Sequence, residues 1–229
     1  MIVETLYPEY ANLYGDPGNI RYLKKCLPEA EFVDTPMHAE PAFVTRDVAL
    51  VYMGPMTESA QEKAIHRLRP YVDRLREMIE QGVVFLMTGN AMEVFGEAIE
   101  NEDGSHIEGL GLLPIIAKRD MMHRYADVFK GQFGDTEIVG FKTQFTMATP
   151  LREGLPFIRV EQGAGLNRQL KGEGVRMHNF FGTYLLGPLL IMNPPFTRYL
   201  LRLLGAEPEE LPFEAEAMEA YRRRLADFH

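Results

Sequence analysis

The sequence predicts a doubly wound α/β domain with a mostly parallel sheet and added antiparallel strands. Three observations predict it. Residues 48–53 and 83–87 are unbroken apolar runs, the pattern of strands buried on both faces. Each run ends in a glycine-containing turn, Gly54-Pro55-Met56-Thr57 and Thr88-Gly89-Asn90, and then enters a helical stretch. Residues 125–160 instead form short alternating segments, as antiparallel strands do. The chain is organised around residues 82–96. Strand, tight turn and helix in that order make a nucleophile elbow, which lifts one side chain above the sheet's carboxyl edge. This elbow carries no nucleophile at its apex.

In chain order, residues 2–6 are a strand, followed by a loop and a helix. Asp16 is placed to cap that helix, with Pro17 at its first position. Ile20, Leu23 and Leu27 form its apolar stripe, and Cys26 lies beside them. Residues 31–34 are a second strand and 48–53 a central third. Thr57 opens a helical region in which Ile65, Leu68, Val72, Leu75 and Ile79 follow 3-4 spacing. Pro70 divides it into two helices in series. Residues 97–105 read as an acidic loop, and 167–174 as polar and turn-rich. Residues 175–181 read as one strand, and 196–204 as a last core helix. Residues 207–229 read as a separate amphipathic helix appended to the domain of residues 1–206. Its side formed by Met218, Tyr221, Leu225 and Phe228 is apolar, and Arg222 to Arg224 sit at its dipole-favoured end.

The totals exclude several function classes. The net charge of −9 argues against nucleic acid, whose phosphates require a basic face. No apolar run reaches membrane-span length. The first residues lack the layout of a signal peptide. A single cysteine among 229 residues excludes an internal disulfide and fits a cytoplasmic setting. The six histidines are scattered, so no metal or other cofactor is expected.

Several segments, in order, carry a resemblance. They are Tyr7-Pro-Glu-Tyr-Ala-Asn-Leu-Tyr-Gly-Asp-Pro-Gly-Asn-Ile20, the elbow ending in Phe95-Gly96, and Ile107-Glu-Gly-Leu-Gly-Leu-Leu113. Gly140-Phe141, the loop of residues 163–174 and Gly182-Thr-Tyr-Leu-Leu-Gly-Pro-Leu-Leu190 complete them. Together they resemble the CobB/CobQ-type class I glutamine amidotransferases, and among these the GatD-type subunits that pair with a Mur-ligase-like partner. The resemblance implies a flavodoxin-like fold with its site at the strands' carboxyl ends. It also implies an elbow cysteine that attacks the glutamine amide, a histidine that relays the proton, and backbone amides that hold the oxyanion. Counted back from Gly96, the cysteine position falls on Gly89, and in the family's Gly-Thr-Tyr-Leu-His-Gly-Pro segment the histidine position falls on Leu186. The oxyanion side corresponds to Met53-Gly54-Pro55-Met56, and the family's Gly-Phe-Glu-Asn-His-type segment is Gly140-Phe-Lys-Thr-Gln144 here.

Loss of a nucleophile or base from a coupled set costs on the order of a million-fold in turnover. The expectation is therefore a homologue without glutaminase activity. It would act as a binding or regulatory subunit beside a Mur-ligase-like or other amide-ligase partner, with self-association equally open. The alternative is an enzyme, of glutamine amidotransferase, cobyric acid synthase or other hydrolytic kind, using different residues of the same pocket. Gly54, Pro55, Thr88, Asn90 and Glu93 are the candidate binding residues. Thr88 has a structural reading as a turn hydroxyl, Glu93 as a helix-start carboxylate, and Asp16 and Asn19 as loop caps. His178 could replace the missing base only by a large shift. Met56, Met92 and Leu186 are apolar residues near the old site.

Overall fold

The computed structural model describes residues 1–228; the last residue of the expected C-terminal helix, His229, lies outside them. The chain runs β1 (Ile2–Leu6), α1 (Gly18–Cys26), β2 (Glu31–Thr35), β3 (Leu50–Met53), α2 (Glu58–Leu68), α3 (Val72–Glu80), β4 (Val84–Thr88) and α4 (Ala91–Val94). Then follow β5 (Ala98–Glu100), β6 (His106–Glu108), β7 (Ile115–Arg119), β8 (Tyr125–Phe133), β9 (Thr136–Gln144), β10 (Thr146–Pro150), β11 (Ile158–Gln162) and β12 (Gly172–Glu173). The last elements are β13 (Val175–Met177), β14 (Phe180–Thr183), α5 (Leu189–Met192), α6 (Pro194–Leu203) and α7 (Glu214–Ala226).

The central sheet has the order β13-β14-β4-β3-β1-β2. All its pairings are parallel except that of β13 with β14. Helices cover both faces, which explains the unbroken apolar runs. Leu6, Val51, Met53, Phe85, Met87 and Phe180 enter one core with α2, α3 and α4. Val3, Leu50, Tyr52, Val84, Leu86 and Phe181 enter the other with α1, α5 and α6. Two four-stranded sheets, β10-β7-β5-β6 and β12-β11-β8-β9, stand beside it. They are antiparallel apart from the pairing of β5 with β7. This is the doubly wound fold expected, with its antiparallel additions.

The helical reading of residues 58–80 holds: the Thr57 hydroxyl accepts from Ala60 N–H at 3.3 Å, and Pro70 lies in the turn between α2 and α3. Three segments differ from expectation. Residues 175–181 fold as two strands of a hairpin, because His178 adopts φ +54° and reverses the chain. The expected loop of residues 97–105 contains β5, which pairs with β6 just after it in a hairpin and with β7 in parallel. The C-terminal helix begins at Glu214, since Pro208 and Pro212 break the stretch before it. Ala217 and Tyr221 of α7 are buried, and the Tyr221 hydroxyl donates to the Glu137 carbonyl at 2.8 Å. Arg222, Arg223 and Arg224 are exposed.

Candidate functional site

The elbow is built as its sequence requires. Strand β4 ends at Thr88, Gly89 turns the chain at φ +59°, and α4 starts at Ala91. A side chain at such a φ is strained by about 1–3 kcal/mol, which glycine avoids. The space above Gly89 is occupied. An ideal Cβ there would lie 2.5 Å from Pro55 Cβ and 3.4 Å from Leu186 Cδ2. Pro55, Met56 and Leu186 are buried. The cavity left among Tyr14, Pro55, Gly89, Asn90, Glu93 and Leu186 is about 40 Å³, room for a few waters at about 10–15 Å³ of probe volume each. Met92 does not plug this cavity. It packs beneath the elbow, where a Cβ on Gly182 would lie 2.6 Å from its Cγ.

The loop expected to form the oxyanion side is clamped to the elbow. Asn90 Oδ1 accepts from the Met56 N–H at 3.0 Å, and Asn90 Nδ2 donates to the Met56 carbonyl at 2.9 Å. The Met56 amide is thereby engaged, and Pro55 has no N–H to offer. Gly54 is needed for packing: a Cβ there would approach Ala11 O to 2.7 Å and Asp16 Oδ2 to 2.8 Å.

Two buried carboxylates flank the elbow. Asp16 was expected to cap α1, but its side chain makes no cap bond and turns inward. It accepts hydrogen bonds from Thr88 Oγ1 (2.6 Å), Asn19 Nδ2 (3.2 Å) and the Tyr52 hydroxyl. These three donors hold it inward, and there burial pushes its pKa up to about 7, with the bonds from Thr88, Asn19 and the Gly187 amide only partly offsetting this. Glu93 is also buried, accepting from Gln61 Nε2 at 2.7 Å and the Tyr184 hydroxyl at 2.8 Å. Burial raises it to about 7 as well, against hydrogen bonds from Gln61 and Tyr184 and the charge of Arg119. Gln61 further donates to Asn90 O at 2.8 Å and accepts from Arg119 at 2.8 Å. Thr88 and Asp16 are fully buried and neither lines the cavity above Gly89, so this hydroxyl is withheld from any substrate there.

The remaining chemical candidates lie elsewhere. His178 is exposed in the β13–β14 turn, just before Phe180. Phe180 pairs with Phe85 at the start of β4, so His178 sits at the amino edge, opposite the elbow. Cys26 ends α1, and burial raises its thiol to about 11. Lys142, in the segment that departs from the family's pattern, forms a fully buried ion pair with Glu173 at 2.6 Å. Nothing in the residue pattern pointed to Glu173 as its partner. Beside the elbow, across Gln144 and Phe145, lies a cleft of about 520 Å³ lined also by Tyr125 and Arg168.

Comparison with known proteins agrees with this architecture. The CobB/CobQ-like glutamine amidotransferase domain matches residues 2–193. The subunit GatD of a glutamine-hydrolyzing lipid II isoglutaminyl synthase from Staphylococcus aureus (strain N315) is 28% identical over 210 residues, 91% of this chain and 85% of that protein. The GatD subunit of the same synthase from Streptococcus pneumoniae (strain ATCC BAA-255 / R6) is 26% identical over 197 residues, 83% and 75% of the two chains. Among solved structures, a glutamine amidotransferase superimposes with TM-score 0.58 at 16% identity, covering 89% of this chain and 99% of that one. The PurLQS structure from Thermotoga maritima gives 0.56 at 12% identity, covering 98% of each chain. Fold and sequence together place the chain in the CobB/CobQ-like glutamine amidotransferase family.

Proposed function

We propose that this chain is a GatD-like amidotransferase homologue that does not hydrolyse glutamine. It serves instead as a binding or regulatory subunit of an amide-ligase system in the cytoplasm. Gly89 and Leu186 are its vestigial catalytic positions, and Gly54, Pro55, Thr88, Asn90 and Glu93 are held as structure around them. The observation that carries this reading is the filled elbow. Pro55 Cβ lies 2.5 Å from where a Cβ on Gly89 would stand, Leu186 Cδ2 lies 3.4 Å from it, and a cavity of only about 40 Å³ remains. A glutamine side chain with its attacking sulfur and proton acceptor needs several times that space.

Two further features support it. The Met56 amide on the oxyanion side is satisfied by Asn90, so binding an oxyanion there would first require breaking that bond. The Thr88 hydroxyl donates to Asp16, but both side chains are fully buried and neither lines the cavity above Gly89, so substrate does not meet that pair. The partner is proposed on the likeness to relatives whose names describe them as subunits of a synthase.

The test is ammonia release from glutamine by purified protein, alone and with the co-purifying ligase. The expected rate equals the uncatalysed background in both. Glutaminase turnover above background would end the reading. Recovery of free monomer alone from native cells would remove the support for a partner.

A further inference from the structure

The cavity above Gly89, of about 40 Å³, and the cleft beside it, of about 520 Å³, have two lining residues in common, Gln144 and Phe145. These two form the wall between them. The backbone of that wall is anchored on both sides. Gln144 ends β9 in register with Tyr125 of β8, and Thr146 starts β10 opposite Arg119 of β7. Between them the Phe145 carbonyl accepts from the Asp120 N–H at 2.6 Å. Movement in this wall is therefore left to its side chains.

Gln144 is the member whose bonding is incomplete. Four side-chain amides are buried among the described residues: Asn19, Gln61, Gln144 and Asn193. Three of them are paired at both ends. Asn19 donates to Asp16 and accepts from the Leu190 N–H. Gln61 donates to Asn90 O and Glu93 and accepts from Arg119. Asn193 donates to the Val139 and Leu189 carbonyls and accepts from the Val139 N–H. Gln144 donates from Nε2 to the Thr146 carbonyl at 2.7 Å, but its Oε1 has no partner and no contact with solvent. Exchanging the two amide ends does not repair this, because a carbonyl faces the amide and only an N–H can bond it.

A buried acceptor left unpaired costs more than one neutral hydrogen bond returns. The inward position of Gln144 is therefore held against a penalty that the other three amides do not carry. Rotation of its side chain into another staggered well toward the cleft breaks the bond to Thr146. It also brings both ends of the amide into water, and the Thr146 carbonyl left behind meets water entering the joined space. Hydration of Oε1 offsets the bond that is lost, so the two positions are close in free energy.

We infer that Gln144 is a swinging gate between the two spaces. Its amide leaves the wall for the cleft, and the cavity above Gly89 and the cleft become one. The backbone of the wall and Pro55 stay in place, so opening admits small molecules without rebuilding the elbow. A molecule seated in the cleft that bonds the Gln144 amide holds the gate open, which couples occupancy of the cleft to access at the elbow. The gate is independent of whether glutamine is hydrolysed at Gly89.

The test is alkylation of a thiol placed in the small cavity. Leu186→Cys supplies it in the full chain, with Cys26→Ala removing the native thiol, and iodoacetamide is the probe. Labelling of a site reached by local opening follows the population of the open form. Gln144→Ala removes the gate and should raise the labelling rate about tenfold or more. Gln144→Met keeps the length of the side chain but has no amide for water to reward, and should lower the rate about threefold or more. Met56→Cys, in the wall of the same cavity, is a second reporter should Leu186→Cys fold poorly, and melting temperatures exclude global unfolding as the route. Equal rates in the three Gln144 backgrounds overturn the proposal. So does a rate in Gln144→Met at or above that of the parent.

Discussion

Thr88 donates a 2.6 Å hydrogen bond to the carboxylate of Asp16, 72 residues earlier in the chain. The residue before the elbow apex is thus tied to the loop that follows β1. Tyr52 of β3 joins the same carboxylate, so three segments of the sheet's carboxyl edge meet on one buried acid. Such a group is costly to ionise, because its charged form loses more hydration than its partners return.

Stability should therefore fall as pH rises from about 4.5 to about 7. Asp16 and Glu93 are both raised to about 7 in the folded chain, from ordinary values of 3.8 and 4.5. Between those limits the folded chain holds protons that the unfolded chain has released, so the unfolding free energy declines with pH. The stabilisation is complete below the unfolded values and gone once pH exceeds about 7. Each group contributes a slope of at most about 1.4 kcal/mol per pH unit. Denaturant titrations across this range should show the decline. Asp16→Asn with Glu93→Gln should flatten it, leaving a smaller slope from Glu4, which burial also raises. An equal slope in the double variant would remove these two acids as its source.

Restoring the missing residues should not restore turnover. Gly89→Cys places a Cβ at φ +59° and against Pro55. Backbone strain and overpacking each cost about 1–3 kcal/mol, so a loss of roughly 2–6 kcal/mol is expected in chemical denaturation. Gly89→Cys with Leu186→His should still release no ammonia from glutamine, because Pro55 and the Asn90 clamp hold the cavity shut. Adding Pro55→Gly should recover no more than about half of that loss, by removing the clash while the strain remains.

What could be read from the residues alone follows from what is local. The central strands were legible because burial on both faces leaves an unbroken apolar run, as in Val84 to Met87. The two helices split at Pro70 were legible from 3-4 spacing and a missing N–H. Gly89 and Leu186 could be located because the glycines and prolines around them are fixed by backbone geometry. Asp16 was misread because a loop acid before a helix has a ready local role, whereas its actual partners, Tyr52 and Thr88, are distant in sequence. The turn at His178 was hidden because a non-glycine residue at positive φ leaves no compositional mark. Pro55 was named as part of a loop, but only the packed structure puts its ring over Gly89.

The same distinction governs the pair Lys142 and Glu173, whose side chains are fully buried and 2.6 Å apart. Lys142 also donates to the Ala164 and Gly165 carbonyls at 3.1 and 2.6 Å. Glu173 accepts from the Thr183 hydroxyl and the Tyr184 N–H at 2.9 and 2.8 Å. The pair thus fastens β9 and the loop of residues 163–174 to the end of β14, next to Leu186. Removing one partner leaves an uncompensated buried charge, so Lys142→Met alone should cost about 3–5 kcal/mol. Glu173→Gln beside it removes the stranded charge and keeps a carbonyl oxygen for Thr183 and Tyr184. The double variant should therefore recover to within about 1–2 kcal/mol of the parent, a coupling that a double-mutant cycle in denaturant measures directly. Additive losses in that cycle would mean that Lys142 contributes through its backbone contacts, not through the charge of Glu173.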